Sequence, residues 1–328
     1  MGKKERHHFL PRFYLEGFID PNNKPYLWVY EKGNPDIVKA SPVDVAVQKH
    51  YYSITTEKGM RDSETFEDFF ATLESDVAPL FVKLENKQSL NDDERKLVSL
   101  FLAFMMTRVP NFRNNIEETH SEIVKQVTMW LAKDPKRFQS IMEKYGKDAG
   151  DKINFPIDAI REFVLDDSRY TVKTKPEFSL FMIMELSRSF AKVFYDMKWT
   201  FFPATDEYKF LTSDNPLFRL DPTYDPKSPY GVGLRNKNIE VTFPISRNMA
   251  LLAGWNTIKE RYSKTNSSMV RNINKRSIGS ALQYVYASEK SDTLNKLIQK
   301  FKNSAPRMEV RSPKDETIEP YIIKTYFH

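Results

Sequence analysis

Hydrophobic residues recur at helical spacing through the middle of the chain. One stripe has intervals of four and three residues, which is typical of one buried helix face. It consists of Phe66, Phe70, Leu73, Val77, Leu80 and Leu84. Pro79 falls inside this stretch and is expected to kink or divide the helix, because proline removes a backbone donor.

A second helix is predicted to begin just after Asn91. Asparagine is a good N-cap, and the acidic residues that follow it suit the first turn of a helix. This helix should end near Arg108, before Pro110. Further helices are predicted over about 112–132, 135–146, 156–166 and 177–195.

Both ends of the chain have a β-like pattern. Short runs of aromatic and β-branched residues between proline and glycine predict strands. The predicted strands are 26–30, 50–55, 199–203, 209–212, 240–243, 248–253 and 284–287, with helices over 265–283 and 289–302. Ser41 and Pro42 favour a short helix through Val47, and residues 213–238 are predicted to form a long loop.

These elements predict an α+β fold. We expect a helical middle region packed with a mainly antiparallel β-rich part, in which the N-terminal strands join the C-terminal ones. The chain has 328 residues, which suggests two domains or one large one. A soft boundary near residue 195 would separate N-terminal strands and helices (1–195) from a β-rich region with late helices (196–328).

Composition removes several classes of chemistry. The chain has no cysteine, which excludes disulfides, cysteine-ligated metals and cysteine catalysis. It has only ten glycines, and neither a phosphate-binding P-loop nor a dinucleotide-binding glycine fingerprint is present. The nucleophile elbow of α/β-hydrolases and the paired-histidine motif of zinc proteases are also missing.

The chain carries a formal charge of +6. This excess permits a nucleic acid or nucleotide partner, although an ordinary solvated surface explains it as well. No apolar segment follows the basic N-terminus, as a signal peptide would require. The most apolar run, 97–106, is shorter than the roughly 20 residues that cross a bilayer. We therefore expect a cytoplasmic protein without a membrane segment.

His7 and His8 form the first candidate constellation. Imidazole exchanges protons near neutral pH and is the commonest metal ligand in proteins. Adjacent residues of a strand point to opposite faces, so the two histidines would not easily share one metal ion. The alternative is a polar terminus or one packed histidine.

The segment Thr212–Pro216 is the second constellation. Asp214 and Asn215 follow a predicted strand, and proline after Asn215 favours an extended backbone. Such residues often cap their own backbone in a turn. They could equally present a fixed carboxylate and amide to a ligand at a strand end.

Glu74 and Arg108 form the third constellation. Each charge lies on or beside an apolar helix face, where an unpaired ion is unfavourable. We expect the two side chains to lie within about 5 Å of each other. A structural ion pair between neighbouring helices would explain them. Alternatively, one or both could face a polar pocket and bind an anion.

The opening segment His7-His8-Phe-Leu-Pro11-Arg-Phe-Tyr14-Leu15 resembles that of a widespread microbial family known only as a domain of unknown function. The family also carries a Thr-Ser-Asp-Asn-Pro turn. Other matching features here are Glu74, Arg108-Val-Pro110, Phe210 to Pro216, Phe243 to Ser246, and Asn272 or Asn274. The resemblance implies that His7, His8, Arg108, Asp214 and Asn215 recur as a polar set, but it supplies no reaction.

Our leading hypothesis is a hydrolase of a phosphate-containing substrate, in particular a metal-dependent nuclease. His7 or His8 would act as general base, and Asp214 and His8 would bind a divalent metal ion or orient a histidine. Arg108, Asn215 and Glu74 would bind or position the substrate. This requires His7 or His8, Asp214 and Arg108 to converge on one cleft.

Two alternatives remain open. One is a non-catalytic binding or regulatory module of a mobile-element or phage-related system. It predicts buried, fully hydrogen-bonded histidines and no open pocket at Asp214. The other is a small-molecule enzyme that uses nucleotides, for which a deep and narrow pocket is expected.

Overall fold

The computed structural model describes residues 5–55, 60–149, 155–225, 228, 231–256 and 261–308. The fold is α+β, as predicted. The helices are α1 (Arg12–Glu16), α2 (Thr65–Glu85), α3 (Asp92–Thr107), α4 (Pro110–Ala132), α5 (Pro135–Ala149), α6 (Ile157–Leu165), α7 (Pro176–Asp196), α8 (Ser267–Ser280) and α9 (Asp292–Lys300). The strands are β1 (Arg6–His8), β2 (Leu27–Glu31), β3 (Ile37–Ala40), β4 (Val47–Lys49), β5 (Ile54–Thr55), β6 (Arg61–Asp62), β7 (Lys198–Pro203), β8 (Thr212–Ser213), β9 (Phe218–Leu220), β10 (Glu240–Ser246), β11 (Met249–Gly254) and β12 (Tyr284–Ala287).

The centre of the helical layer is α3, which packs against α2 and α7. The Asn91 side chain accepts a hydrogen bond from the backbone N–H of Glu94, and the Glu94 carboxylate accepts one from the N–H of Asn91. This capping box satisfies backbone donors that a helix start leaves free. From Phe101 to Thr107 the helix is buried at every position, so Arg108 is reached at the end of an apolar segment.

Two four-stranded antiparallel sheets form the β part, in the orders β7-β11-β10-β9 and β3-β2-β12-β8. In the second sheet β2 pairs with β12, so that Tyr30 lies opposite Val285. The N-terminal strands therefore join the C-terminal ones, as predicted. This sheet combines strands from both sides of residue 195. Two short pairs, β1-β4 and β5-β6, complete the described strands.

Some local predictions were wrong. Residues 41–46 form turns, and 47–49 form β4, because β4 pairs with β1 where a helix was expected. Pro79 does not divide α2, because its neighbours Val77, Leu80 and Phe81 are buried in the core and this packing offsets the lost backbone bond; the kink expected as the alternative stays a prediction. The predicted loop 213–238 contains β9, and its residues 226, 227, 229 and 230 lie outside the described part of the chain.

Among the described residues, no helix has both the length and the apolar character needed to cross a lipid bilayer.

Candidate functional site

Glu74 and Arg108 form a buried ion pair. Nη1 of Arg108 lies 2.8 Å from Oε1 of Glu74, which confirms the expected proximity. The Arg108 side chain is only 1% exposed, whereas that of Glu74 is 24% exposed. Burial is the largest influence and disfavours the charged guanidinium, but Glu74, together with Tyr52 and Glu67, outweighs burial and raises the pKa of Arg108 above its ordinary value. Arg108 therefore stays charged in the interior.

The rest of the Arg108 side chain is packed against apolar groups. Its guanidinium lies over the Phe70 ring, 4.9 Å from the ring centroid, and Nη2 lies 3.8 Å from the sulfur of Met105. Nε is buried and has no hydrogen-bond partner in the part of the chain that is described. The backbone carbonyl of Arg108 accepts a hydrogen bond from the Tyr51 hydroxyl at 2.8 Å. The backbone of Arg108 thus holds the side chain of Tyr51.

His7 is completely buried and is held by Tyr52. Its Nδ1 accepts a hydrogen bond from the backbone N–H of Tyr52 at 2.8 Å, and the two rings are stacked with centroids 5.5 Å apart. An accepting Nδ1 carries no proton, so the ring proton of neutral His7 is on Nε2.

His8 lies on the other face of β1 and is partly buried. Burial lowers the pKa of His8, and the neighbouring charge of Arg12 lowers it further. A hydrogen bond with the backbone of Val45 acts in the opposite direction. Its Nδ1 is shielded and has no partner among the residues described. At neutral pH His8 is therefore uncharged.

Asp214 binds the backbone that follows α8. Its two carboxylate oxygens accept hydrogen bonds from the N–H groups of Leu282, Gln283 and Tyr284, at 2.8, 2.8 and 2.9 Å. Burial raises the pKa of Asp214 to about 6, while these three bonds and the charge of Lys32 act in the opposite direction. The carboxylate is thus ionised at pH 7 and is occupied by backbone donors.

Asn215 also binds the backbone at the end of α8. Its side-chain N–H donates to the carbonyl of Ser280, the last residue of α8, at 2.9 Å. The hydroxyl of Ser213 closes the turn by donating to the Asn215 carbonyl at 2.9 Å. The turn therefore connects β8 to the C-terminal end of α8.

The structure brings four of the six predicted site residues together and separates the other two. His7, His8, Glu74 and Arg108 surround Tyr52: its hydroxyl donates to the His8 carbonyl at 3.3 Å, and the charges of Arg108 and Glu74 act on its pKa. Within the described chain, no hydrogen bond or ion pair joins Asp214 or Asn215 to these four. The catalytic and substrate-binding roles assigned to these residues stay predictions.

The opening motif and the Asp214 turn are connected through Tyr14. The Tyr14 hydroxyl lies 2.6 Å from Oγ1 of Thr212 and donates to the Pro244 carbonyl at 2.9 Å. Tyr14 is fully buried, and its ring stacks on Phe243. Parts of three of the sequence motifs therefore meet in the core.

A divalent metal ion at Asp214 and His8 does not fit this arrangement. The described residues contain no group of three or more histidine, aspartate or glutamate side chains that could hold a metal ion. Asp214 already accepts three hydrogen bonds, and Nδ1 of His8 is shielded. Asp214 and His8 are therefore not arranged as a metal site.

A basic groove lies beside the Arg108 cluster, that is, His7, His8, Glu74 and Arg108 around Tyr52. Sequence reasoning did not predict this groove. Its volume is about 770 Å³, which is within the range of small-molecule sites. The groove is lined by His50, Ser53, Ile54, Thr55, Arg61, Arg113, Lys175, Pro176 and Glu177. Arg113 connects the groove to the cluster, because it donates to the Tyr51 carbonyl at 2.5 Å and lies over the Tyr51 ring.

Positive charge dominates this groove. In the part of the chain that is described, the side chains of Arg61 and Lys175 make no ion pair, whereas Arg113 pairs with Glu117 at 3.0 Å. Glu177 is the acidic residue of the lining, and its carboxylate accepts a hydrogen bond from the backbone N–H of Thr55 at 2.8 Å. The N-terminus of α7 also borders the groove and adds the positive end of the helix dipole.

Lys32 forms a separate buried contact near Asp214. Its ammonium group donates to the carbonyl of Ala281 at 2.6 Å and to the hydroxyl of Ser304 at 3.2 Å. Burial lowers the pKa of Lys32 to about 8, against the opposite effect of the Asp214 charge. A lysine with this pKa titrates inside an accessible pH range.

The lowered pKa predicts that stability depends on Lys32 above pH 8. The folded protein binds fewer protons than the unfolded chain between pH 8 and 10.5, so the Lys32 contribution to stability rises with pH in this window. Between pH 8 and 10 the free energy of unfolding should rise by about 2 kcal/mol relative to Lys32→Met. Urea denaturation measures this free energy. The control is Lys302→Met, which replaces an exposed lysine. The difference in free energy of unfolding between the wild type and Lys32→Met should change with pH, and that for Lys302→Met should not. If neither difference changes between pH 8 and 10, the lowered pKa of Lys32 is contradicted.

The fold and the site define an α+β protein with a buried arginine-centred cluster beside a basic groove. A family profile described as protein of unknown function (DUF4238) matches residues 6–291. The chain belongs to this family. Searches of curated proteins and of solved structures found no match to it.

Proposed function

We propose that this protein binds a phosphate-containing ligand in the basic groove. The observation that carries the proposal is the placement of Arg61 and Lys175, without ion-pair partners in the described chain, around a cavity of about 770 Å³. Arg113 and the N-terminus of α7 add positive charge to the same cavity. Guanidinium groups and helix N-termini both favour phosphate oxygens.

Burial and hydrogen bonding support a binding role over catalysis by the residues first assigned to it. His7 is buried and hydrogen-bonded, and the Asp214 carboxylate is occupied by three backbone donors. His7 and Asp214 thus have features expected of the non-catalytic alternative, whereas His8 is only partly buried and its Nδ1 has no partner among the described residues. In this proposal the backbone carbonyl of Arg108 holds Tyr51, and through it Arg113, at the wall of the groove.

Hydrolysis of the bound phosphate ester is the second candidate function. One observation favours it: the groove also contains the imidazole of His50, a group that can accept a proton near neutral pH. Nuclease activity is the specific form of this candidate. Release of inorganic phosphate and cleavage of labelled DNA and RNA are the assays that separate turnover from binding alone.

Removing the two unpaired cations should weaken ligand binding. We expect Arg61→Ala/Lys175→Ala to bind 5′-AMP or inorganic phosphate at least tenfold more weakly than the wild type, because each exposed charge-assisted contact contributes about 1 kcal/mol or more. Calorimetric titration gives the affinity. For the wild type, 5′-AMP at 100 times its dissociation constant should also raise stability by about 2.7 kcal/mol.

The matched control is Arg188→Ala/Lys302→Ala, which removes the same charge outside the residues that line the groove. Arg188 is exposed and pairs with Glu185 on the surface of α7. This control should bind like the wild type. If it loses as much affinity as the groove variant, net charge explains binding and the groove does not.

A further inference from the structure

His50 differs from the other residues that line the groove in its backbone conformation. Its φ angle is 56°, in the left-handed region, which is uncommon for residues other than glycine. Two hydrogen bonds hold it there: its N–H donates to the Glu5 carbonyl at 2.7 Å, and its carbonyl accepts from the Ser53 N–H at 3.1 Å. The surrounding chain thus fixes His50 in an unfavourable conformation, as is often found at functional sites.

The His50 imidazole is also incompletely hydrogen-bonded. Its Nδ1 is buried and has no partner among the described residues. Leaving such a buried group unpaired is unfavourable. The His50 ring lines the groove, so an anionic oxygen there can accept a hydrogen bond from its protonated form, and none of the described residues does so.

Both cationic and acidic groups surround this ring. Arg61, Arg113 and Lys175 line the same groove, and Glu177 faces them. On the other side, Glu5 pairs with Lys49 at 3.1 Å. The Lys49 ammonium is the main cause that lowers the pKa of Glu5, and the charges of His50 and Arg61 contribute. Glu117, which pairs with Arg113 at 3.0 Å, is the third acid beside Glu5 and Glu177. With Lys49 included, four cations still face three acids around the ring.

We propose that His50 binds the phosphate of the ligand as an imidazolium, and that the ligand carries a terminal phosphate. This inference rests on the proposed function. Arg61, Arg113, Lys175 and protonated His50 line one groove of about 770 Å³, and their combined positive charge suits the two negative charges of a phosphate monoester. A nucleic acid strand carries one charge per phosphate and is bound by cations spaced along its path.

The first test measures proton uptake on binding. Sulfate remains a dianion between pH 6 and 8, so a proton taken up with sulfate goes to the protein. Calorimetric titration of the full chain at pH 6.5, in buffers of different ionisation enthalpy, should show proton uptake for the wild type and none for His50→Asn. Asparagine tolerates a positive φ, and His50→Gly, which adopts it freely, serves as a second variant.

The two variants should also change the pH dependence of affinity. At pH 6 we expect them to bind sulfate about tenfold more weakly than the wild type, because one charge-assisted hydrogen bond is lost. At pH 8.5 the difference should be within about twofold. Equal proton uptake by wild type and variants would overturn the role of His50 while groove binding stands. If the wild type does not bind sulfate at all, the proposed function itself is overturned.

The second test compares ligands that share one nucleoside. The wild type should bind 5′-AMP at least tenfold more tightly than the dinucleotide ApA, whose phosphate is internal. Arg61→Ala/Lys175→Ala should reduce this preference. If ApA or a single-stranded oligonucleotide binds as tightly as 5′-AMP, the groove follows a nucleic acid backbone and the inference of a terminal phosphate is wrong.

Discussion

Replacing Asp214 by alanine should lower the free energy of unfolding by about 3–5 kcal/mol. Three backbone N–H groups, those of Leu282, Gln283 and Tyr284, donate to this carboxylate. Each buried donor left without a partner costs about 1–3 kcal/mol, and partial relaxation of the chain recovers some of the total. Lys32, whose ammonium acts on the Asp214 charge, would also lose its neighbour. Urea or thermal denaturation measures the change.

Asp166 offers a matched control for this substitution. Its carboxylate accepts from the N–H and the hydroxyl of Ser168 in an exposed turn, so Asp166→Ala should cost no more than about 1 kcal/mol. If Asp214→Ala were as stable as this control, the turn would not be structural. In that case the role of Asp214 as a ligand-binding carboxylate would become the better interpretation.

Replacing Glu74 by glutamine should destabilise the protein by about 3 kcal/mol. The substitution keeps the shape of the side chain but leaves the Arg108 charge, which is only 1% exposed, without its counter-ion. Removal of one partner of a buried pair is more costly than replacement of both. The double variant Glu74→Gln/Arg108→Met should therefore recover part of the lost stability.

Glu185→Gln is the control for the Glu74 substitution, because it removes one partner of an exposed ion pair on α7. Exposed pairs contribute at most about 1 kcal/mol. A double-mutant cycle at Glu74 and Arg108 would give their coupling energy directly. A coupling energy near zero would show that the pair is not what keeps Arg108 charged in the core.

The local sequence predicted elements whose signals are local. Asn91 and Glu94 carry the start of α3 in their own side chains, and β12 occurs at the predicted residues 284–287. The pairing of Glu74 with Arg108 was also predictable, since both charges lie on apolar helix faces that must bury them. The need to pair a buried charge can be recognised from the spacing of residues along a helix alone.

Features that depend on distant partners were not predictable. The segment 47–49 is a strand because β1 pairs with it, and nothing within 41–47 signals that pairing. The donors to Asp214 come from a backbone almost 70 residues further along the chain, so the sequence left its structural and binding roles equally open. The groove combines His50, Arg61, Arg113 and Lys175 from four separate segments, without any local run of basic residues.

Locating a bound oxyanion tests the central claim most directly. Crystals of the full chain soaked in sodium tungstate, a heavy-atom mimic of phosphate, give an anomalous signal at each bound ion. The account predicts a peak in the groove within hydrogen-bond distance of the side chains of Arg61, Arg113 or Lys175, and its loss in crystals of Arg61→Ala/Lys175→Ala. An empty groove, with tungstate bound at other surfaces of the same crystal, would contradict it.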